Sequence, residues 1–376
     1  MPRKKEIATR KIAMGSSAKI GILERLKAGP VIGDGGLVNQ LERRGYVDAG
    51  VWTTEAVVQN PEGVKQLQRE YLRAGADVMQ TCTFYSSDDR LTLLGIENID
   101  CATLNKAACE IARDVANGGN ALVAGSISTV PAFTDRKGKE EIMNEFQKQI
   151  DVFKDENLDF LLGEFFGHVE EAEMAIEAMK QLNIPIACTM KIGPAGDLSL
   201  PHKSPQECAV RMAKAGADII GINCSFGPFV ALETIEMMKE ALDAEGLSPY
   251  LMAQPAGWYT SEVRNDVMGY VSLPEMPFAM ETRTISRMDA GRFAREAYKL
   301  GVRYIGGCCG CEPYHIRAMA EELAEERGRP STIIYDRMGQ SPSTLKERCT
   351  REYWENVIPA AGRTNVKILA DLDDRR

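Results

Sequence analysis

The feature that most restricts the fold is a rhythm. Short apolar runs alternate with amphipathic segments of 12 to 17 residues along most of the chain. Such alternation builds βα units, and βα units place their strands in parallel. Eight strands are expected, at Val31–Gly33, Asp77–Thr81, Ala121–Gly125, Phe160–Gly163, Ile184–Met190, Ile219–Asn223, Tyr250–Ala253 and Tyr304–Gly307. Their runs lack strict polar alternation, as expected when both faces of a parallel strand are covered. Two architectures accommodate eight such units. An open doubly wound sheet usually carries a phosphate-binding glycine fingerprint after its first strand, and Gly33-Asp34-Gly35-Gly36 has the wrong spacing and an acid where a phosphate would lie. The pattern therefore predicts an α/β chain folded as a (β/α)8 TIM barrel with a C-terminal extension.

Local signals support this reading. Pro61 opens a helix that runs to about Ala74, where Gly75 closes it. The phrase "REYLRAGADVMQT" returns as "VRMAKAGADIIGINC" and, more loosely, as "AREAYKLGVRYIGGCC". Each ends a helix, turns at Gly75, Gly216 or Gly301, and enters a strand, so one αβ turn is used three times. Three segments follow: a basic flexible leader at 1–20, the barrel at 21–327, and an extension at 328–376. The extension carries Tyr353 and Trp354 on little apolar core of its own, which suits an arm docked on its own barrel or on a neighbouring subunit.

Charge and cysteine usage exclude several classes. The formal net charge of −9 argues against general affinity for nucleic acid or acidic membrane surfaces. No apolar run approaches the ~20 residues needed to span a bilayer. The leader holds six Lys or Arg against one Glu, with no apolar core, so it does not read as a secretory signal. The ten cysteines are thus expected to be reduced thiols in a cytoplasmic chain. Cys101, Cys109, Cys188 and Cys208 lie in apolar runs and read as small buried hydrophobes, and Cys349 stands in a charged stretch.

Chemistry-bearing residues gather where the predicted strands end. Asp34 ends the first, Thr81 to Tyr85 the second, Glu164 the fourth, Cys224 the sixth, and Cys308 with Cys309 the eighth. Barrel enzymes build their active sites on that C-terminal rim. Three protein ligands around zinc leave a position open for chemistry. Cys308 and Cys309 sit in a turn with Gly306, Gly307 and Gly310, and Cys224 comes 84 residues before Cys308. Spacing alone leaves both a three-thiolate metal site and three buried thiols open. Cys311 lies past Gly310 and is left out of the set. Of three histidines, His168 opens the helix after the fourth strand, while His202 and His315 are expected to be structural or exposed.

"IGDGG", "NCSFGP" and "GGCCG", together with "QTCTFYSSDDRL", "HVEEAE" and "REYWENV", resemble the homocysteine S-methyltransferase family of zinc-thiolate barrels, and within it the branch that uses betaine. The likeness runs from about Gly21 to Gly362. It implies zinc on Cys224, Cys308 and Cys309, with homocysteine held by Asp34, Gly35, Thr81 and Glu164. It implies an aromatic wall of Trp52, Phe84 and Tyr85 around a trimethylammonium donor, which binds ring faces because it has no hydrogen bond to donate. It also implies a potassium site at Asp34, Gly35, Gly36 and Gly307. The tail around Tyr353 and Trp354 leads to the expectation of a homodimer or homotetramer. Four residues depart from that branch: Phe165 stands for Tyr, Gly167 for Glu, Ser225 for His and Gly227 for Asp. These changes fall on the donor side, so a sulfonium donor such as dimethylsulfoniopropionate or S-methylmethionine is the competing expectation. A noncatalytic zinc or thiol sensor is a reading of another class, but it would not need an amino-acid pocket.

Overall fold

The computed structural model describes residues 19–48, 54–328 and 349–351. Eight parallel strands form its centre: β1 (Val31–Ile32), β2 (Val78–Gln80), β3 (Leu122–Ser128), β4 (Phe160–Phe166), β5 (Ile186–Met190), β6 (Ile219–Asn223), β7 (Tyr250–Gln254) and β8 (Val302–Ile305). The sheet runs β1-β8-β7-β6-β5-β4-β3-β2. Its remaining seam, between β1 and β2, is drawn together by two aspartates. The Asp77 amide donates to the Ile32 carbonyl at 2.6 Å, and its carboxylate accepts from the Ile32 amide at 2.9 Å. Higher up, the Asp34 carboxylate accepts from the Gln80 amide at 3.0 Å.

A helix follows every strand: α1 (Pro61–Ala74), α2 (Cys101–Asn117), α3 (Lys139–Phe153), α4 (Val169–Met179), α5 (Pro205–Ala215), α6 (Pro228–Glu245), α7 (Arg287–Leu300) and α8 (Pro313–Glu322). The repeated αβ turn works as the sequence suggested. Gly75, Gly216 and Gly301 cap α1, α5 and α7 at φ 114°, 108° and 108°, values at which a side chain would be strained. The aspartate two residues after two of these glycines then binds a neighbouring strand. Asp218 accepts from the Ile186 amide at 2.9 Å just as Asp77 does from Ile32.

The floor of the barrel is filled by Val31, Val78, Leu122, Phe160, Leu162 and Met252 among others, all buried. Each such side chain contributes roughly 1.5–3 kcal/mol of burial. A second, larger core lies between the strands and the helix ring. Strand bounds differ from expectation in one way that matters. β3 and β4 run further toward the rim, to Ser128 and Phe166, and Ser128 pairs in register with Glu164. Glu164 therefore lies within β4 rather than just beyond its end. The ladder persists because every residue of both strands is buried, so their backbone groups need each other. β8, by contrast, ends at Ile305, and Gly306 to Cys309 form the turn beyond it.

Candidate active site at the barrel rim

Cys224, Cys308 and Cys309 reach one point because the end of β7 ties their backbones together. The Cys224 amide donates to the Gln254 carbonyl at 2.9 Å, and the Cys308 amide to the Pro255 carbonyl at 2.9 Å. The Cys309 carbonyl accepts from the Gly257 amide at 2.7 Å. Cys224 itself is held at φ 57° and Ser225 at φ 50°, a left-handed pair that aims the thiol across the mouth. In the facing turn the same freedom is needed at Gly310, with φ 78°. The three sulfur atoms lie within 4.8 Å of one another. Tetrahedral zinc with Zn–S bonds of about 2.3 Å would ask for sulfurs ~3.8 Å apart, so the set fits such an ion with small adjustments. The donor set also suits it chemically. Burial opposes ionisation of Cys224, yet hydrogen bonds from Cys308, Cys309, the Ser225 amide and the Tyr270 hydroxyl hold its thiol well below the usual value. Cys311 is apart from this cluster. Its thiol points to the Pro255 carbonyl, and burial pushes its pKa up to about 12.

The three cysteines lie in the wall of a cavity of ≈ 440 Å³ that opens at the rim. Glu164 stands on its floor, fully surrounded. Its carboxylate accepts from Gln80 Nε2, from Ser126 Oγ at 2.7 Å and from Asn223 Nδ2 at 3.3 Å. Asn223 is oriented for this by two donors on its oxygen, the Phe165 amide and the Thr189 hydroxyl, both at 2.9 Å. All of Glu164's partners are neutral, and burial raises its pKa to about 7, with the nearby Asp34 charge adding to the shift. Burial likewise raises Asp34 to about 7. Neither carboxyl forms an ion pair among the described residues, so each can still meet a cation.

The other expected residues divide. Gly35, Gly36, Thr81, Phe84 and Gly307 line the cavity. The Thr81 hydroxyl is engaged in the sheet, accepting from the Ser126 amide at 2.9 Å and meeting the Thr83 hydroxyl at 2.9 Å. Tyr85 lies one layer behind Phe84, its ring centre 4.0 Å away, and does not reach the cavity wall. Trp52, Tyr353 and Trp354 lie outside the described residues. His168 caps α4 and faces Ser199 Oγ at 3.3 Å, away from the cavity. His202 is exposed, whereas His315 is buried and structural, its Nε2 at 2.8 Å from the Ile285 carbonyl and its Nδ1 accepting from the Glu312 amide.

Several cavity residues were not singled out from sequence. Phe165, noted there only as a departure, packs edge-on against Phe84 at 5.2 Å. Gln254 presents a buried Oε1 without a hydrogen-bond partner among the described residues. Trp258, Tyr270, Met276 and Met280 roof the site from the segment between β7 and α7. That segment, residues 255–286, was the missed signal: an insertion of this length at the rim of a compact barrel is usually functional.

Comparison with known proteins agrees with this geometry. The family model described as homocysteine S-methyltransferase matches residues 31–323. Betaine–homocysteine S-methyltransferase 1 of Mus musculus is 52% identical over 361 residues, covering 93% of this chain and 88% of that protein. The S-methylmethionine–homocysteine S-methyltransferase of Pongo abelii is 49% identical over 364 residues, covering 95% of this chain and 98% of that one. Among solved structures, the metallated homocysteine methyltransferase MmuM of Escherichia coli superposes with a TM-score of 0.60, covering 77% of this chain and 95% of its own. At 18% identity that likeness speaks for the barrel alone. Matched over nearly all of its barrel and half-identical to such relatives, the chain belongs to the homocysteine S-methyltransferase family.

Proposed function

We propose that this protein transfers a methyl group from betaine to the sulfur of L-homocysteine, giving methionine and dimethylglycine. The observation that carries the reading is the convergence of three cysteine sulfurs within 4.8 Å, in one cavity with the buried Glu164 and aromatic rings. Cys224, Cys308 and Cys309 would hold zinc. Zinc held there would lower the pKa of the substrate thiol, so that the acceptor would be a thiolate at neutral pH. Glu164 and Asp34 receive the substrate's α-ammonium group, and Gln254 Oε1 offers a further acceptor for it. Gly35 and Thr81 border the same end. The potassium site at Asp34, Gly35, Gly36 and Gly307 belongs to this reading; the Gly307 amide donates to the Asp34 carbonyl at 3.0 Å, which brings the two turns together.

The rings of Phe84 and Phe165, with Tyr85 behind them and Trp52 completing the set, hold the onium group and keep water from it. The sulfur attacks the methyl carbon in line, the C–N bond breaks, and its electron pair leaves with nitrogen as a neutral amine. No general acid is required, which fits a site without a histidine among its described residues. The S-methylmethionine-using relative favours a second donor class, a sulfonium, on the same site. Steady-state turnover with homocysteine and a panel of onium donors, with metal analysis of the purified protein, tests the reading. Turnover with betaine at about one zinc per chain is expected; no transfer to homocysteine from any donor would overturn it. We further propose assembly as a dimer or tetramer through the extension at 328–376, with the leader at 1–20 outside the barrel. Light scattering of a chain ended at Gly328 should show a smaller particle.

A further inference from the structure

The segment that roofs the cavity reaches the three cysteines through Tyr270. This residue sits on the short helical turn Gly269–Ser272 and places its hydroxyl 3.7 Å from Cys224 Sγ, a hydrogen-bond distance for sulfur. Its side chain is buried, and its ring stands edge-on to Trp258 with centres 4.9 Å apart. The backbone pins the same turn. The Tyr270 amide donates to the Ser225 carbonyl at 2.8 Å, and a Cβ on Gly269, at φ 60°, would collide with that carbonyl. The roof therefore grips the left-handed Cys224–Ser225 pair twice, once by backbone and once by the phenol.

The direction of the bond follows from the metal reading. As a zinc ligand Cys224 is a thiolate with no proton to give, while a phenol keeps its proton at neutral pH, so Tyr270 donates. The Ser225 amide is a second donor to the same sulfur. The phenol also bears on Cys309, whereas Cys308 is governed by the other two sulfurs and by burial.

In the proposed reaction the donor's methyl carbon meets the substrate's sulfur and three protein thiolates around one ion. Attack by Cys224 would form a C–S bond and break the donor's C–N bond, whose electron pair leaves with nitrogen. It would also turn an anionic ligand into a neutral thioether and spoil the site. Cys224 packs in one buried cluster with Phe165, a ring of the onium wall, so it lies where this side reaction threatens. A hydrogen bond draws charge from a thiolate, and nucleophilicity falls with it. We propose that Tyr270 is a positioning residue that donates to Cys224 Sγ and leaves the substrate's sulfur as the nucleophile. This inference rests on the methyl-transfer reading above and adds how one sulfur is selected from several.

The test treats the zinc-loaded full chain with methyl iodide, without homocysteine, and follows each cysteine by peptide mass spectrometry. Tyr270→Phe keeps the ring and removes the hydroxyl. In that variant Cys224 should be methylated roughly tenfold faster relative to Cys308 than in the wild type, with Cys309 rising less. During turnover the variant should lose activity progressively as methyl accumulates on Cys224. With cobalt in place of zinc, its sulfur-to-metal charge-transfer band should move to longer wavelength. An unchanged ratio of Cys224 to Cys308, or an equal rise at all three cysteines, overturns the proposal and leaves Tyr270 a packing residue. Should the variant fail to fold, the wild type decides: Cys224 methylated ahead of Cys308 overturns the proposal, and the reverse order supports it. Absence of turnover with every donor would instead sink the reaction reading, and the methyl iodide ratio would still decide the role of the phenol.

Discussion

The two ends of the barrel treat carboxylates in opposite ways. At the floor, Asp77, Asp159 and Asp218 accept from the amides of Ile32, Val123 and Ile186 at 2.9, 2.7 and 2.9 Å. Asp77 also pairs with the buried Arg327, and Asp159 with Lys19, both at 2.8 Å. At the rim, Asp34 and Glu164 accept hydrogen bonds from neutral donors alone, form no ion pair among the described residues, and are pushed up to about 7 by burial. The same functional group closes the sheet at one end, where its charge is compensated. At the other its charge is left for a ligand to compensate. Backbone geometry follows the same division, since Tyr85, Phe165 and Cys224, at the rim ends of β2, β4 and β6, all have positive φ. Strain of this kind, worth about 1–3 kcal/mol at each residue, collects where a site must be aimed.

The contrast can be broken most forcefully at the cysteines. Cys308→Ala should remove zinc and lower turnover by roughly a thousandfold or more, as for other residues that activate a nucleophile. Full metal content in that variant, measured by mass spectrometry, would show that the three-cysteine set is wrong. Next comes the floor. Asp77→Asn removes the ion pair with the buried Arg327 side chain and should cost roughly 3–5 kcal/mol in urea unfolding, with the kinetic constants of the folded protein near wild type. An unchanged midpoint would mean that the floor carboxylates do not close the barrel.

Glu164→Gln should do the reverse, lowering kcat/KM for homocysteine roughly ten- to a hundredfold while sparing stability. The sign with pH sharpens the point. The folded carboxyl titrates near 7 and its reference value is 4.5, so its stabilising contribution is complete below about 4.5 and lost as pH rises through 7. The wild-type apoprotein should therefore weaken between pH 5 and 8, and the variant should weaken less. On the proposed reading, substrate affinity should run the other way, strengthening over that range as Glu164 ionises. Equal pH slopes in both proteins would remove Glu164 from this role. The smallest effect is expected at Trp52. Replacement by Ala should raise the donor KM about three- to thirtyfold and leave homocysteine binding and zinc content alone. An unchanged donor dependence would make it a packing residue.

Much of the rim could be read from the chain because a barrel turns position along a strand into position in space. Once Asp34, Glu164, Cys224 and Cys308 were assigned to strand ends, their meeting at one mouth followed from the architecture. Depth along each strand was less legible. Glu164 lies inside β4, since pairing with β3 continues past the residue where the apolar run stops. Gln80 and Asn223 were hidden for a different reason. Each is an ordinary strand amide until its neighbours across the sheet bring it to a carboxylate.

The sequence by itself determined the βα rhythm, the glycine-capped turns and the thiols and acids that a zinc-dependent methyl transfer would use, because periodicity and residue chemistry are local properties. Only the tertiary structure decided which of these groups remain short of partners. It joined Cys224 to Cys308 and Cys309 through the end of β7, and placed Tyr85 behind Phe84 instead of in the cavity wall. It also set Arg90 and Lys191 over the rings of Tyr85 and Phe165. Whether a charge is satisfied depends on what every packed neighbour offers within a few ångströms, and most of those neighbours are distant in the chain.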